Sequence, residues 1–137
     1  MSNDRKTTGM ATLDQQRARH AWDAVARAEA REGAHQPQTP EKFRGQAKKL
    51  PVRIMASGLG QALAFLRAKD YAPGLLAELS DWIAIRLPPR TREPRELLER
   101  VVQGDADFLR RATDEALAYL VWVNRFAEAK LAEGDSE

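Results

Sequence analysis

The 137 residues carry 22 basic and 20 acidic side chains, a formal net charge of +2, and 43% of them are hydrophobic, which suits one domain core and leaves no room for a second. Cysteine is absent and histidine occurs only at positions 20 and 35, so disulfides, thiol nucleophiles and thiolate metal sites are excluded and an imidazole site lacks ligands. No apolar run reaches the length of a membrane-spanning helix.

The opening MSNDRKTTGM is polar throughout and lacks the apolar core of a secretory leader, which predicts a cytoplasmic protein; residues 1–11 show no periodicity and are expected to be a disordered tail. Thr12 and Gln15 have the spacing of a capping box, and Ala18, Ala21, Trp22, Val25 and Ala28 then recur at helical spacing. They predict a first helix, ending near residues 31–33, whose core face is alanine with one tryptophan. His20 falls on its polar side and is expected to be solvated. AHQPQ, residues 34–38, reads as a linker. Thr39-Pro40 supplies an N-cap with proline in the first turn, and Phe43, Ala47, Leu50 and Ile54 form the apolar stripe of a second helix. The stripe keeps phase across Pro51, which cannot donate to residue i−4, so a kinked helix or two helices abutting at Leu50-Pro51 is predicted.

The remaining faces of this segment hold Lys42, Arg44, Lys48, Lys49 and Arg53, with no acid among them. From Thr39 to Ala72 seven basic residues, including Arg67 and Lys69, face only Glu41 and Asp70, a local net of +5 on a molecule of +2. Solvated helix faces usually mix signs, so the bias points to a polyanion as readily as to a plain surface. Val52 and Met55 lie off the stripe among these charges.

Ser57-Gly58-Leu59-Gly60 lacks the third glycine, the preceding strand and the lysine of a phosphate loop, and is expected to be a tight turn with close backbone packing. A short helix follows with Leu59, Ala62, Leu63 and Leu66 inward. Pro73 opens another, with Leu75, Leu76, Leu79, Trp82 and Ile83 facing the core, and Pro88-Pro89 closes it. The loop RLPPRTREPR, residues 86–95, sets four arginines against Glu93 and is expected to be extended and exposed, a connector or a second basic patch. Pro94, then Leu97, Leu98, Val101 and Val102, then Gly104, describe a short helix.

Asp105 or Asp107 caps the last and longest element, residues 107–132, which contains neither proline nor glycine. Leu109, Ala112, Thr113, Ala116, Leu117, Leu120, Val123, Ala127 and Leu131 share one broad face, with Arg110, Asp114, Arg125 and Glu128 opposite. Phe108, Tyr119, Trp122 and Phe126 run along its flank, either as the edge of the same core or packed on another chain. No stretch alternates apolar and polar residues, so the fold class is all-α: a compact bundle of five to six helices in a single domain, residues 12–132, with a short disordered tail at 133–137.

Catalytic constellations are missing. None of Ser2, Ser57, Ser80 and Ser136 sits in a nucleophile elbow, and Asp105, Asp107, Asp114 and Glu115 occupy helix-start and helix-surface positions that dipole and solvation explain. The residues are those of a non-catalytic protein with no cofactor, metal or small-molecule substrate. Three readings remain: a helical subunit binding nucleic acid through residues 42–53, a helix-turn-helix regulator built on Ser57–Gly60, and a protein–protein adaptor. The regulator is disfavoured by its mostly apolar second helix, GQALAFLRAKD.

TLDQQRARHAWDAV at 12–25, KKLPVRIMASGLGQALAFLRAK at 48–69 and ATDEALAYLVWVNRFAEAK at 112–130, in this order, closely resemble the small helical subunit of the Cmr complex, the RNA-targeting type III-B CRISPR effector. The most specific part is KLP followed by SGLGQALAFL. The resemblance implies an all-helical antiviral-defence subunit that stacks on copies of itself beside other Cmr subunits and contributes to a basic groove for the guide–target RNA, without catalysis of its own. By charge pattern Lys42, Arg44, Lys48, Lys49, Arg53 and Arg67 are the candidate RNA contacts. Tyr119, Trp122 and Phe126 become candidates for the subunit interface.

Overall fold

The computed structural model describes residues 9–30 and 39–133. The tails expected at 1–11 and 133–137 fall outside these residues except for 9–11 and 133, as does the whole 34–38 linker with His35. Six helices and no strand occur among the described residues: α1 Leu13–Glu29, α2 Pro40–Ser57, α3 Leu59–Lys69, α4 Pro73–Arg86, α5 Leu97–Gln103 and α6 Ala106–Lys130. At about 1.5 Å per residue the 25-residue α6 is roughly 37 Å long, and α1, α2 and α4 all pack against it.

The helix starts follow the sequence closely. Thr12 Oγ1 accepts from the Gln15 N–H at 3.0 Å while Gln15 Oε1 accepts from the Thr12 N–H at 2.8 Å, the reciprocal capping box. Thr39 caps α2 ahead of Pro40, and Asp105 caps α6. Gly58, at φ +90°, closes one helix and opens the next: its N–H donates to Ile54 O and its carbonyl accepts from the Ala62 N–H. A Cβ on Gly60 would stand 3.3 Å from Val101 Cγ1, so the second glycine lets α3 approach α5.

Pro51 does not break α2, which is one continuous helix; no second helix begins there. The proline leaves the buried Ala47 carbonyl without its helical donor, and Asn124 of α6 supplies one, Nδ2 donating to Ala47 O at 2.9 Å and to Leu120 O at 3.1 Å. The helix therefore survives its proline through a tertiary contact.

The apolar stripes of α2, α3 and α4 are buried as their spacing predicts. Three apolar positions on the other helices differ. Trp22 is 46% exposed: Ala21, Val25 and Ala28 bring α1 close to α6, and the indole is displaced to the flank, edge-on to Phe126 at 5.0 Å with Lys130 Nζ 3.8 Å above it. Val102 and Leu109 are exposed: Leu97 and Arg100 occupy the inner side of α5, and Phe108 rather than Leu109 packs against the core. Arg100 is buried against Phe108 at 4.5 Å.

A polar cluster stands where α1, α4 and α6 meet. Glu115, expected on the surface, is 8% exposed; Arg17 holds it with Nε at 2.6 Å and Nη2 at 3.0 Å, Trp82 Nε1 donates at 2.9 Å, and Arg86 lies 3.8 Å away. His20 is not solvated. Its Nδ1 meets Tyr119 Oη at 2.6 Å and its Nε2 meets Asp81 at 2.7 Å, with Arg95 on the other carboxylate oxygen. Tyr119, one of the interface candidates, is fully buried and stacks on Trp82 within the core of the chain. Burial pushes its phenol far above the ordinary tyrosine range. Desolvation opposes the Glu115 charge most strongly, yet the bonds from Arg17 and Trp82 and the charges of Arg17 and Arg86 together hold its carboxyl below the usual value. His20, ahead of Arg95, does the same for Asp81 against a desolvation penalty.

Two outcomes follow from these ties. Asn124→Ala costs about 1–3 kcal/mol in urea unfolding, the cost of an unsatisfied buried acceptor. The cost shrinks in a Pro51→Ala background, where residue 51 donates to Ala47 O itself; strictly additive effects would show that Asn124 does not replace that bond. Glu115→Gln removes about 3 kcal/mol at neutral pH, because Arg17 loses its buried carboxylate partner and keeps only the exposed Asp14. Because the folded-state pKa of Glu115 is depressed, its stabilisation is complete above about pH 4.3 and is lost as pH falls through the folded value. The variant's unfolding midpoint therefore declines less steeply in acid than the parent's, and an unchanged acid slope would remove Glu115 from the pH dependence.

Candidate nucleic-acid interface

The buried stripe of α2 orients the rest of that helix. With Phe43, Ala47, Leu50 and Ile54 inward, Lys48, Val52 and Met55 recur at i, i+4 and i+7 on an exposed face. Lys42, Gln46, Lys49 and Arg53 share a second row at i, i+4, i+7 and i+11. This row borders α3, because Lys42 Nζ lies 5.0 Å over the Tyr71 ring and the Arg53 guanidinium 4.4 Å over the Phe65 ring.

The six predicted contact residues divide by what already holds them. Lys48 and Lys49 extend from α2 without an ion pair to any described carboxylate. Lys42 and Arg53 rest on aromatic rings, and Arg53 Nη1 also donates to Gln46 Oε1 at 2.8 Å. Arg44 donates to Leu131 O at 2.8 Å, satisfying a carbonyl at the end of α6. Arg67 pairs with Glu96 at 3.3 Å, on a different side of α3 from Phe65 and Lys69. The structure thus brings Lys42, Lys48, Lys49 and Arg53 together on α2 and gives Arg44 and Arg67 work within the chain.

Among the described residues, none of Lys42, Lys48, Lys49, Arg53 and Lys69 pairs with a carboxylate, whereas several cations of the other helices do. Arg27 pairs with Glu78, Arg110 and Arg111 with Asp107, and Arg125 with Glu128. The 86–95 loop is also partly consumed: Arg86 and Arg95 turn to Glu115 and Asp81, which leaves Arg90 and Arg92 of its four arginines. Arg19, Arg100 and Lys130 likewise pair with no described carboxylate but lie on three different helices, whereas α2 and the end of α3 bring five unmatched cations together.

Three side chains beside this surface are ones that the sequence pattern does not single out. Lys69 lies 5.5 Å over the Phe65 ring, and Phe65 and Tyr71 are each about two-fifths exposed, at 41% and 43%. The signal for Phe65 is its place off the inward row Leu59, Ala62, Leu63 and Leu66. Tyr71 follows the left-handed Asp70 that ends α3, a position that periodicity does not cover. On the α1–α6 edge, Trp122 donates from Nε1 to Asp14 at 3.0 Å and packs at 5.6 Å on Phe126, which meets Trp22. Both Trp122 and Phe126 are half-buried.

Residues 13–130, which include all six helices, match the family model described as CRISPR-associated protein (Cas_Cmr5). The chain belongs to the Cmr5 family. A relative named CRISPR system Cmr subunit Cmr5, from Thermus thermophilus, is 33% identical over 126 residues, covering 90% of this chain and all of the relative. The crystal structure of a CRISPR-associated Cmr5 family protein from the same organism matches with a TM-score of 0.72 at 32% identity, over 89% of this chain and all of that one. The family indicated by the three sequence segments is therefore borne out, and so is the all-helical fold with its long final helix.

Proposed function

We propose that the chain is a non-catalytic structural subunit of an RNA-guided type III-B Cmr effector in the cytoplasm, stacking along the complex and holding target RNA through the basic surface of α2. Membership of the Cmr5 family supports the assembly, and the observation that carries the RNA contact is the set of cations at Lys42, Lys48, Lys49 and Arg53 that no described carboxylate pairs. Lysine and arginine meet phosphates without reading bases, which suits a subunit serving many guides while pairing reads the sequence. Its partners in this reading are other Cmr subunits, copies of itself, and the guide and target RNA. The aromatic edge of Trp122 and Phe126, extended by Trp22, is the surface for packing against neighbouring subunits, since aromatics are enriched at interface centres.

Lys48→Glu with Lys49→Glu is expected to weaken target-RNA binding by the assembled complex. It also flattens the salt dependence, whose log–log slope drops by about 0.7 for each single-strand phosphate that the protein no longer neutralises. Unchanged binding across a salt titration would remove RNA contact from α2. Trp122→Ala is expected to abolish co-purification with the other subunits while circular dichroism stays helical; global unfolding would instead return Trp122 to the core.

A further inference from the structure

We propose that the seam between α2 and α3 takes unpaired nucleobases, with Phe65 and Tyr71 as stacking platforms, so that single-stranded RNA rather than a duplex is the ligand of this surface. The inference rests on the reading of α2 as an RNA contact and specifies what it binds.

The two rings differ from the other surface aromatics of the molecule. Trp22, Trp122 and Phe126 cover one another, whereas neither Phe65 nor Tyr71 has an aromatic neighbour among the described residues. Both residues are about two-fifths exposed, and cations lie over their rings: Lys42 over Tyr71, and Arg53 and Lys69 over Phe65. No carboxylate pairs with any of those three cations among the described residues.

Arg53 is fixed in place before any ligand arrives. Gln46, itself buried, accepts from Nη1 at 2.8 Å and lays the guanidinium on Phe65 at 4.4 Å. A planar guanidinium on a ring presents a second flat face, and bases stack on either kind of plane. Lys42, Lys49 and Lys69 then border the platform as point charges for the phosphates between successive bases. Alternating π-faces and cations is the arrangement by which proteins follow a single strand without sequence preference, because every base has a face to stack. A duplex keeps its base faces inside the helix and would use the charges alone.

The test measures fluorescence anisotropy of the full chain with three probes: an oligouridylate of about ten nucleotides, an abasic ribose–phosphate oligomer of the same length, and an RNA duplex of that length. Stacking predicts that the oligouridylate binds about fivefold or more tighter than the abasic oligomer. Phe65→Leu with Tyr71→Leu, which keeps the apolar bulk and removes the π-faces, should erase that preference while leaving the abasic affinity unchanged. Phe65→Trp should retain or enlarge it. Equal binding of bases and abasic chain by the parent overturns the proposal, as do duplex preference or equal loss of both single-stranded probes in the leucine variant. If no probe binds in a salt-dependent way and Lys48→Glu with Lys49→Glu changes nothing, the RNA reading itself fails, and a protein partner on the seam replaces it. If those two charge reversals weaken all three probes while the rings make no difference, RNA contact stands and stacking alone is rejected.

Discussion

Along α6, Glu115, Tyr119, Asn124 and the carbonyl of Leu131 each hold a different neighbour in place. Glu115 takes Arg17 of α1 and Trp82 of α4, Tyr119 takes His20 of α1, Asn124 takes Ala47 of α2, and Leu131 takes Arg44 of α2. The apolar stripe between them supplies most of the burial, but burial is indifferent to sliding by one turn. The polar ties are directional, and each misplaced helix would leave a charge or a carbonyl buried without its partner. They set the register of the bundle around one long helix.

That register determines what α2 shows to solvent. Held by Arg44 at one point, by Asn124 at another and by Phe43, Ala47, Leu50 and Ile54 between, the helix cannot rotate its lysines inward. Several exposed cations elsewhere are offset by a neighbouring carboxylate, as in the Arg110–Asp107 and Arg125–Glu128 pairs. On α2 they are not. Isolated surface pairs are worth about 1 kcal/mol or less, so their absence weakens the fold little and leaves a strong local field.

The sequence made the helices legible wherever the information was local. Capping boxes, proline at a helix start and glycine at a turn are decided within a few residues, and Thr12, Thr39, Gly58 and Asp105 stand where their spacing places them. What spacing could not show were pairings between distant segments. His20 sits on the polar side of its own helix, yet Asp81 and Tyr119, 61 and 99 residues away, enclose it. Glu115 looks like a surface acid until Arg17 and Trp82 converge on it. Pro51 predicts a kinked helix or two abutting ones from α2 alone; the helix is continuous, and the amide of Asn124, 73 positions beyond the proline, supplies the donor that Ala47 O lacks. The charge bias of residues 42–53 was visible at once, but a net charge does not say which cations are already engaged, and Arg44 and Arg67 proved to be so.

The amide side chains sharpen the character of this surface. Asparagine and glutamine read adenine edges through paired donor and acceptor contacts, as arginine and lysine read guanine. On α2 the one amide, Gln46, is buried and spends its oxygen on Arg53; Asn124 is spent on Ala47 and Gln15 on the cap of α1. What α2 and the end of α3 present outward is sign and flat surface: lysines, a guanidinium and two rings. Such a face distinguishes a stacked strand from an unstacked one and an anion from a neutral partner. The amide of α2 is thus spent inside the fold, in a contact of the same kind as those that keep the helices in register, while Gln61 of α3 stays exposed one turn from Phe65.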